Sequence, residues 1–131
     1  MEDLDSLDTE RFDPLSKWAV EYLAAAWDRS LPAMLDAAIE IFGTLDVVVN
    51  NAGLALPKVL LEHDPAADWE LVTSVNQKGV YHGLVAAGKR FVALDKPGVI
   101  LNASSVYGQM AAELSFVYNV SKAAVDMMTK C

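Results

Sequence analysis

A tyrosine and a lysine four residues apart are the first side chains in this sequence with the spacing to do chemistry together. Tyr118 and Lys122 occur in the run Tyr-Asn-Val-Ser-Lys. On a helix, residues four apart share one face and lie one turn apart. A lysine ammonium beside a tyrosine favours the phenolate, so such a tyrosine can exchange a proton with a carbonyl or alcohol oxygen near neutral pH. The pair alone is a weak indication of a catalytic site, and further residues elsewhere in the chain are needed to support it.

Two apolar runs end in polar residues that could join this pair. The run Leu-Asp-Val-Val-Val at 45–49 continues into Asn-Asn-Ala-Gly at 50–53, and Val-Ile-Leu-Asn-Ala at 99–103 continues into two serines at 104–105. Continuous β-branched runs are typical of parallel strands that are covered on both faces. Parallel strands have their carboxyl ends at one edge of the sheet, so both polar tails are expected there. Open α/β sheets bind ligands at that edge.

Helices are needed to position these residues, and apolar residues at steps of three and four predict them. The predicted helices lie at 15–27, 31–42, 66–73, about 74–94, and from near 115 to the C-terminus. Gly43 should end the second of them as a C′ residue. Asn76 falls in an otherwise apolar helical stretch, where a buried amide is costly unless its hydrogen bonds are made. The order of elements predicts an α/β fold with parallel strands.

Four segments, in this order, resemble the short-chain dehydrogenase/reductase family. They are Asn-Asn-Ala-Gly after the first strand, Val-Asn-x-x-Gly at 75–79, Asn-Ala-Ser-Ser-Val-Tyr-Gly at 102–108, and Tyr-x-x-Ser-Lys at 118–122. The resemblance implies a partial Rossmann-like fold, in which a doubly wound parallel sheet is flanked by helices. It also implies an oxidoreductase that interconverts an alcohol and a carbonyl with NAD or NADP.

Carried over residue by residue, the resemblance implies a catalytic set. Tyr118 would be the general acid/base, and Lys122 would assist it and bind the nicotinamide ribose. Ser105 would hydrogen-bond the substrate oxygen; Ser104 is its rival, but the thirteen-residue step to Tyr118 favours Ser105. Asn76 would hold the water that relays protons to Lys122.

The resemblance also implies contacts with the cofactor, the substrate and a second subunit. Residues along the cofactor would be Asn50, Ala52 and Gly53, together with Tyr118 and Lys122. Residues of the substrate cleft would include Met110, Ala111, Ala112 and Leu114, which favours an apolar small molecule, with Tyr107 at the lip. Helix 74–94 and the helix of Tyr118 form subunit contacts in the family, which implies a homo-oligomer. No metal site is predicted, because His63 and His82 do not stand at ligand spacing from other ligand-type residues.

One family feature is absent from the sequence. Members open with Thr-Gly-x-x-x-Gly-x-Gly, whose backbone approaches the pyrophosphate, and none of the seven glycines here forms that pattern. Gly79 and Gly83 have a four-residue step, but Val85 stands where the next glycine would be. The alternative hypothesis is therefore a truncated, non-catalytic fragment that acts at most as a binding or dimerising module.

Composition limits the remaining possibilities. The 131 residues are 53% hydrophobic, which suits one domain with a core. The net charge of −8 argues against binding to nucleic acid or an anionic membrane surface. Six acids and one arginine fall within residues 1–13, which predicts an acidic, disordered leader before a domain at 14–131. The single cysteine and the absence of a spanning or signal segment predict a cytoplasmic protein.

Overall fold

The computed structural model describes residues 30–131. The acidic leader at 1–13 and the helix expected at 15–27 lie outside the described residues. Residues 30–42 are helical and form helix α1. Gly43 ends α1 as predicted, because its φ of 76° is a left-handed conformation that glycine adopts without strain and its N–H donates to the Ile39 carbonyl at 2.8 Å.

The two predicted strands pair in parallel. Strand β1 spans Val47–Asn50 and strand β2 spans Val99–Asn102. The register places Val47 opposite Val99 and Asn50 opposite Asn102. Both strands therefore end at the same level in an asparagine, and the polar tails that follow them leave the sheet at one edge.

The other helices follow the predicted order. Helix α2 spans Ala67–Thr73, α3 spans Gly79–Ala93 and α4 spans Phe116–Lys130. Short 3₁₀ turns lie at Leu60–Glu62 and Val106–Gly108. The helix predicted from about 74 is α-helical only from Gly79, because Ser74–Lys78 form a π-turn in which the Gly79 N–H donates to the Ser74 carbonyl. π-turns of this length inside α-helices often mark functional positions.

The apolar core lies between one face of the sheet and two helices. It contains Leu35 of α1, Val48 of β1, and Ala86, Ala87 and Phe91 of α3. On the opposite face, the side chains of Val47, Val49, Val99 and Leu101 are 51–58% exposed. Within residues 30–131, the strands are thus covered on one face, not on the two that their apolar runs predicted.

The start of α2 is capped from the preceding loop. Asp64 Oδ1 accepts hydrogen bonds from the backbone N–H groups of Ala66 and Ala67, both at 2.8 Å. These bonds stabilise the carboxylate and so hold the pKa of the Asp64 carboxyl below its usual range. The bond from Ala67 has the larger effect. The cap fixes the far end of the loop that leaves β1.

Candidate active site

Helix α4 brings Tyr118 and Lys122 together at the carboxyl edge of the sheet. Lys122 is only 4% exposed, and its Nζ donates to the Ala103 carbonyl, just beyond β2, at 2.7 Å. The same Nζ lies 5.7 Å from the centroid of the Tyr118 ring. Burial of an ammonium costs free energy unless it is hydrogen-bonded, so the bond to the Ala103 carbonyl stabilises Lys122 in this position.

Asn76 is fully buried in the π-turn and holds the loop after β1. Its Nδ2 donates to the Leu54 carbonyl, and its Oδ1 accepts from the Leu54 N–H, both at 2.9 Å. The second Nδ2 hydrogen goes to Ser121 Oγ of α4, also at 2.9 Å. Both amide hydrogens are therefore used by protein groups, and the Asn76 side chain has no further hydrogen to donate.

Gly53 packs against the same group of residues. A Cβ added to it would lie 3.2 Å from Lys122 Nζ and 3.5 Å from Asn76 Oδ1. Gly53 and its neighbour Ala52 are exposed, so this stretch of backbone presents an open surface directly beside the ammonium. Glycine is the residue that lets another molecule approach a backbone closely.

Asn50 turns its amide along the ends of the strands. Its Nδ2 donates to Asn102 Oδ1 at 2.8 Å, and Asn102 Nδ2 donates to Thr129 Oγ1 of α4 at 3.0 Å. The Asn50 side chain also contacts the Cα side of Gly83 in α3. The structure thus gives Asn50 a place in a hydrogen-bonded chain that joins β1, β2 and α4. Asn102 stands at a strand end like Asn50, and this shared position is the signal in the sequence that could have indicated the partner.

The two candidate serines have different surroundings. Ser104 Oγ donates to the Lys122 carbonyl on α4 at 3.2 Å, so its hydroxyl hydrogen is used inside the fold. Ser105 Oγ instead accepts from the Tyr107 N–H at 3.2 Å, which caps the 3₁₀ turn. That bond leaves the Ser105 hydroxyl hydrogen available to donate.

A cleft of about 430 Å³ opens next to Tyr107. Tyr107 meets Tyr118 edge to face, with ring centroids 6.4 Å apart. The cleft is lined by the residues expected of it, and by others from the β1 loop and α4: Met110, Ala111, Ala112, Leu114, Lys58 and Val120. Leu114 is held by the Lys58 N–H, which donates to its carbonyl at 2.9 Å. The wall is largely apolar, with one cation at its rim.

A second, more apolar groove of about 710 Å³ lies between α3 and α4. It is lined by Tyr81, Leu84, Val85, Met127 and Met128, among others. Tyr81 and Met127 are 56% and 59% exposed. A contiguous exposed apolar surface is typical of sites that bind another protein or a ligand.

Comparison with known proteins identifies the family and the fold. The family model for short chain dehydrogenases matches residues 16–131. The chain belongs to this family. Glucose 1-dehydrogenase 2 of Bacillus subtilis is 36% identical over 103 residues, which are 79% of this chain and 40% of that enzyme. The chain thus spans about two fifths of the length of that curated relative.

Solved structures of family members superpose on about three quarters of the chain. A short-chain dehydrogenase/reductase from Burkholderia phymatum in complex with NAD gives a TM-score of 0.71 at 35% identity, over 76% of this chain and 35% of that one. ElxO with NADP bound gives 0.68 at 30% identity, over 75% and 39%. The predicted Rossmann-like α/β fold is confirmed over these regions. In residues 30–131, no helix is long and apolar enough to cross a bilayer.

Proposed function

We propose that this chain carries the catalytic part of an NAD- or NADP-dependent oxidoreductase that interconverts an alcohol and a carbonyl. The observation that carries the proposal is the buried Lys122 ammonium, held by the Ala103 carbonyl beside the Tyr118 ring and the Gly53 backbone. Ser105 follows the strand that ends next to them. We assign these residues to a proton-transfer site, because they lie at the carboxyl edge of the sheet, where α/β sheets bind ligands.

The residues of the chain would move the proton, and a bound cofactor would supply the hydride chemistry. When bound, the nicotinamide supplies the hydride to a carbonyl carbon or accepts it from an alcohol. Tyr118 gives its phenol proton to the carbonyl oxygen, or takes the proton in the reverse direction. The Lys122 ammonium stabilises the negative charge left on Tyr118, and the Ser105 hydroxyl donates to the substrate oxygen. Asn76 holds the loop and helix that position Lys122, and the π-turn backbone beside it would hold the proton-relay water.

The described residues fit the nicotinamide end of such a cofactor. Lys122 Nζ has three hydrogens, of which the Ala103 carbonyl takes one. The remaining hydrogens can reach ribose hydroxyls, and the exposed Ala52-Gly53 backbone leaves room for them. The Bacillus subtilis relative, named as a glucose dehydrogenase, and the NAD and NADP complexes support this assignment.

We infer that the substrate is a small alcohol or carbonyl compound with an apolar body. The reacting oxygen would lie at Ser105 and Tyr118, and the body would extend past Tyr107 into the 430 Å³ cleft. Met110, Ala112 and Leu114 offer that body no hydrogen bond from their side chains. A cyclic secondary alcohol is a suitable probe of this volume and polarity.

The choice between the two serines gives the test of the site. Ser105→Ala should lower kcat/KM for such an alcohol about 10²-fold, because it removes a hydrogen-bond donor to the reacting oxygen. Ser104→Ala is the matched control and should leave kcat/KM near that of the unmodified chain, because its hydroxyl faces the α4 backbone. Reduction of NAD or NADP, followed by absorbance, measures both. A larger loss in Ser104→Ala than in Ser105→Ala would contradict the assignment.

We further infer that the α3–α4 groove binds a second copy of this chain. The apolar side chains of both helices need a cover, and the two helices form subunit contacts in proteins that resemble this one. Met127→Asp should therefore convert a dimer or larger assembly into a monomer, as measured by light scattering after gel filtration. Val92→Asp is the control, since Val92 is 81% exposed on α3 and does not line the groove. An unmodified chain that is monomeric at high concentration would contradict the inference.

A further inference from the structure

A buried serine inside the tyrosine-lysine motif joins three parts of the site. Ser121 lies on α4 between Tyr118 and Lys122 and has no exposed surface. Its hydroxyl donates to the Tyr118 carbonyl at 2.7 Å and accepts from Asn76 Nδ2 at 2.9 Å. Ser121 therefore bonds both to the turn of the helix that carries the proposed acid/base and to the π-turn.

Asn76 extends this connection to the loop after β1. Its other two hydrogen bonds go to the N–H and the carbonyl of Leu54, the residue after Gly53. The Gly53 backbone in turn packs beside Lys122 Nζ. These contacts thus connect Tyr118 through Ser121 and Asn76 to the Gly53-Leu54 loop, and that loop packs beside Lys122.

We propose that Ser121 is a positioning residue, which holds the Tyr118-Lys122 turn in register with Asn76 and the loop that Lys122 faces. If its hydroxyl is removed, one buried Asn76 amide hydrogen loses its acceptor and must find water or another group. The helix then loses its hydrogen bond to the π-turn that holds the loop, and Lys122 can shift relative to Gly53. The claim about structure stands on these contacts alone, and its effect on turnover rests on the proposed function.

The contact can be tested without any enzyme activity. In the 131-residue chain, both Asn76 side-chain amide hydrogens should exchange slowly with solvent in nuclear magnetic resonance spectra, with Asn76→Ala providing the assignment. Fast exchange of one of them in the unmodified chain would overturn the proposal. Ser121→Ala should speed the exchange of one hydrogen and shift the backbone amide signal of Gly53. Ser121→Thr, which keeps a hydroxyl, should restore both signals at least in part.

A matched control exists on the same helix. Thr129 Oγ1 donates to the Val125 carbonyl at 2.8 Å and accepts from an asparagine amide, Asn102 Nδ2, so it has the same kinds of bond as Ser121. Thr129→Val should therefore leave the Asn76 and Gly53 signals unchanged. If Ser121→Ala folds and moves these signals no more than Thr129→Val does, Ser121 is a packing residue and the proposal is wrong.

Kinetics separates positioning from stability. Ser121→Ala should lower kcat about 10- to 100-fold with little change in KM, because a small misplacement of catalytic groups has effects of this size. A chain that shows the predicted signals but no turnover with any probe alcohol would contradict the proposed function and still support the Ser121 contact. Equal kcat values for Ser121→Ala and the unmodified chain would overturn the positioning role.

Discussion

Replacement of Tyr118 by phenylalanine should lower kcat roughly 10²- to 10⁴-fold while the chain stays folded. The substitution removes the only atom that is proposed to exchange a proton with the substrate oxygen, and general acid/base groups contribute about this much. It keeps the ring of residue 118, whose centroid lies 6.4 Å from that of the Tyr107 ring. The thermal unfolding temperature should therefore hardly change. Initial rates with a cyclic secondary alcohol and NAD or NADP provide the measurement.

The control for this substitution is another tyrosine on a neighbouring helix. Tyr81 lies on α3, is 56% exposed and has no lysine four residues later. Tyr81→Phe removes the same hydroxyl from a distant position and should leave kcat near that of the unmodified chain. A folded Tyr118→Phe protein that keeps a comparable kcat would exclude Tyr118 as the acid/base.

The largest effect on stability is expected at Gly83. A Cβ on this buried residue of α3 would lie 2.0 Å from Asn50 Oδ1 and 2.6 Å from its Cγ. The Asn50 side chain would have to rotate away and release its 2.8 Å hydrogen bond to Asn102. Overpacking of this kind costs about 1–3 kcal/mol, so Gly83→Ala should lower the free energy of unfolding by about that amount in urea denaturation.

Gly88 provides a control of opposite sign on the same helix. A Cβ there would meet nothing within 4 Å, and alanine is favoured over glycine inside a helix by about 0.5–1 kcal/mol. Gly88→Ala should therefore stabilise the chain. If Gly83→Ala also raised the free energy of unfolding, the packing of Asn50 against α3 would be wrong.

The sequence was informative about elements and about faces of single helices. The spacing of Tyr118 and Lys122 fixes their relative position once α4 forms, since a helix repeats every 3.6 residues. The positive φ of Gly43 and the burial of Asn76 were also predictable, because each follows from a local pattern. The common edge for the two strand ends followed from parallel pairing, which the β-branched runs favoured.

Other features depend on tertiary packing and were not predictable. The π-turn at Ser74–Lys78 differs from an α-helical turn by one residue in its hydrogen bonding, and apolar spacing over five positions is too short to reveal that difference. The bonds from Asn76 to Leu54 and Ser121 join residues 22 and 45 positions apart. No local pattern specifies which distant group satisfies a buried amide.

One outcome shows the limit of apolar periodicity. In the helix predicted at 31–42, the apolar steps of three and four place Met34, Leu35 and Phe42 on one stripe, yet Met34 and Phe42 are 58% and 76% exposed, while Leu35 is 4% exposed. A helix that rests on a two-stranded sheet buries only a narrow part of its surface among the described residues. Periodicity indicates which face is apolar, but the width of the buried part depends on what the helix packs against.

Calorimetric titration of the 131-residue chain with NADH and with NADPH tests directly whether the chain binds a nicotinamide cofactor. Circular dichroism establishes that the chain is folded. We expect saturable binding of at least one of them, which Lys122→Ala weakens and Ser104→Ala does not. A cooperatively folded chain that binds neither would contradict the claim that Lys122, Gly53 and their neighbours form a nicotinamide site, and would favour a binding or dimerising role instead.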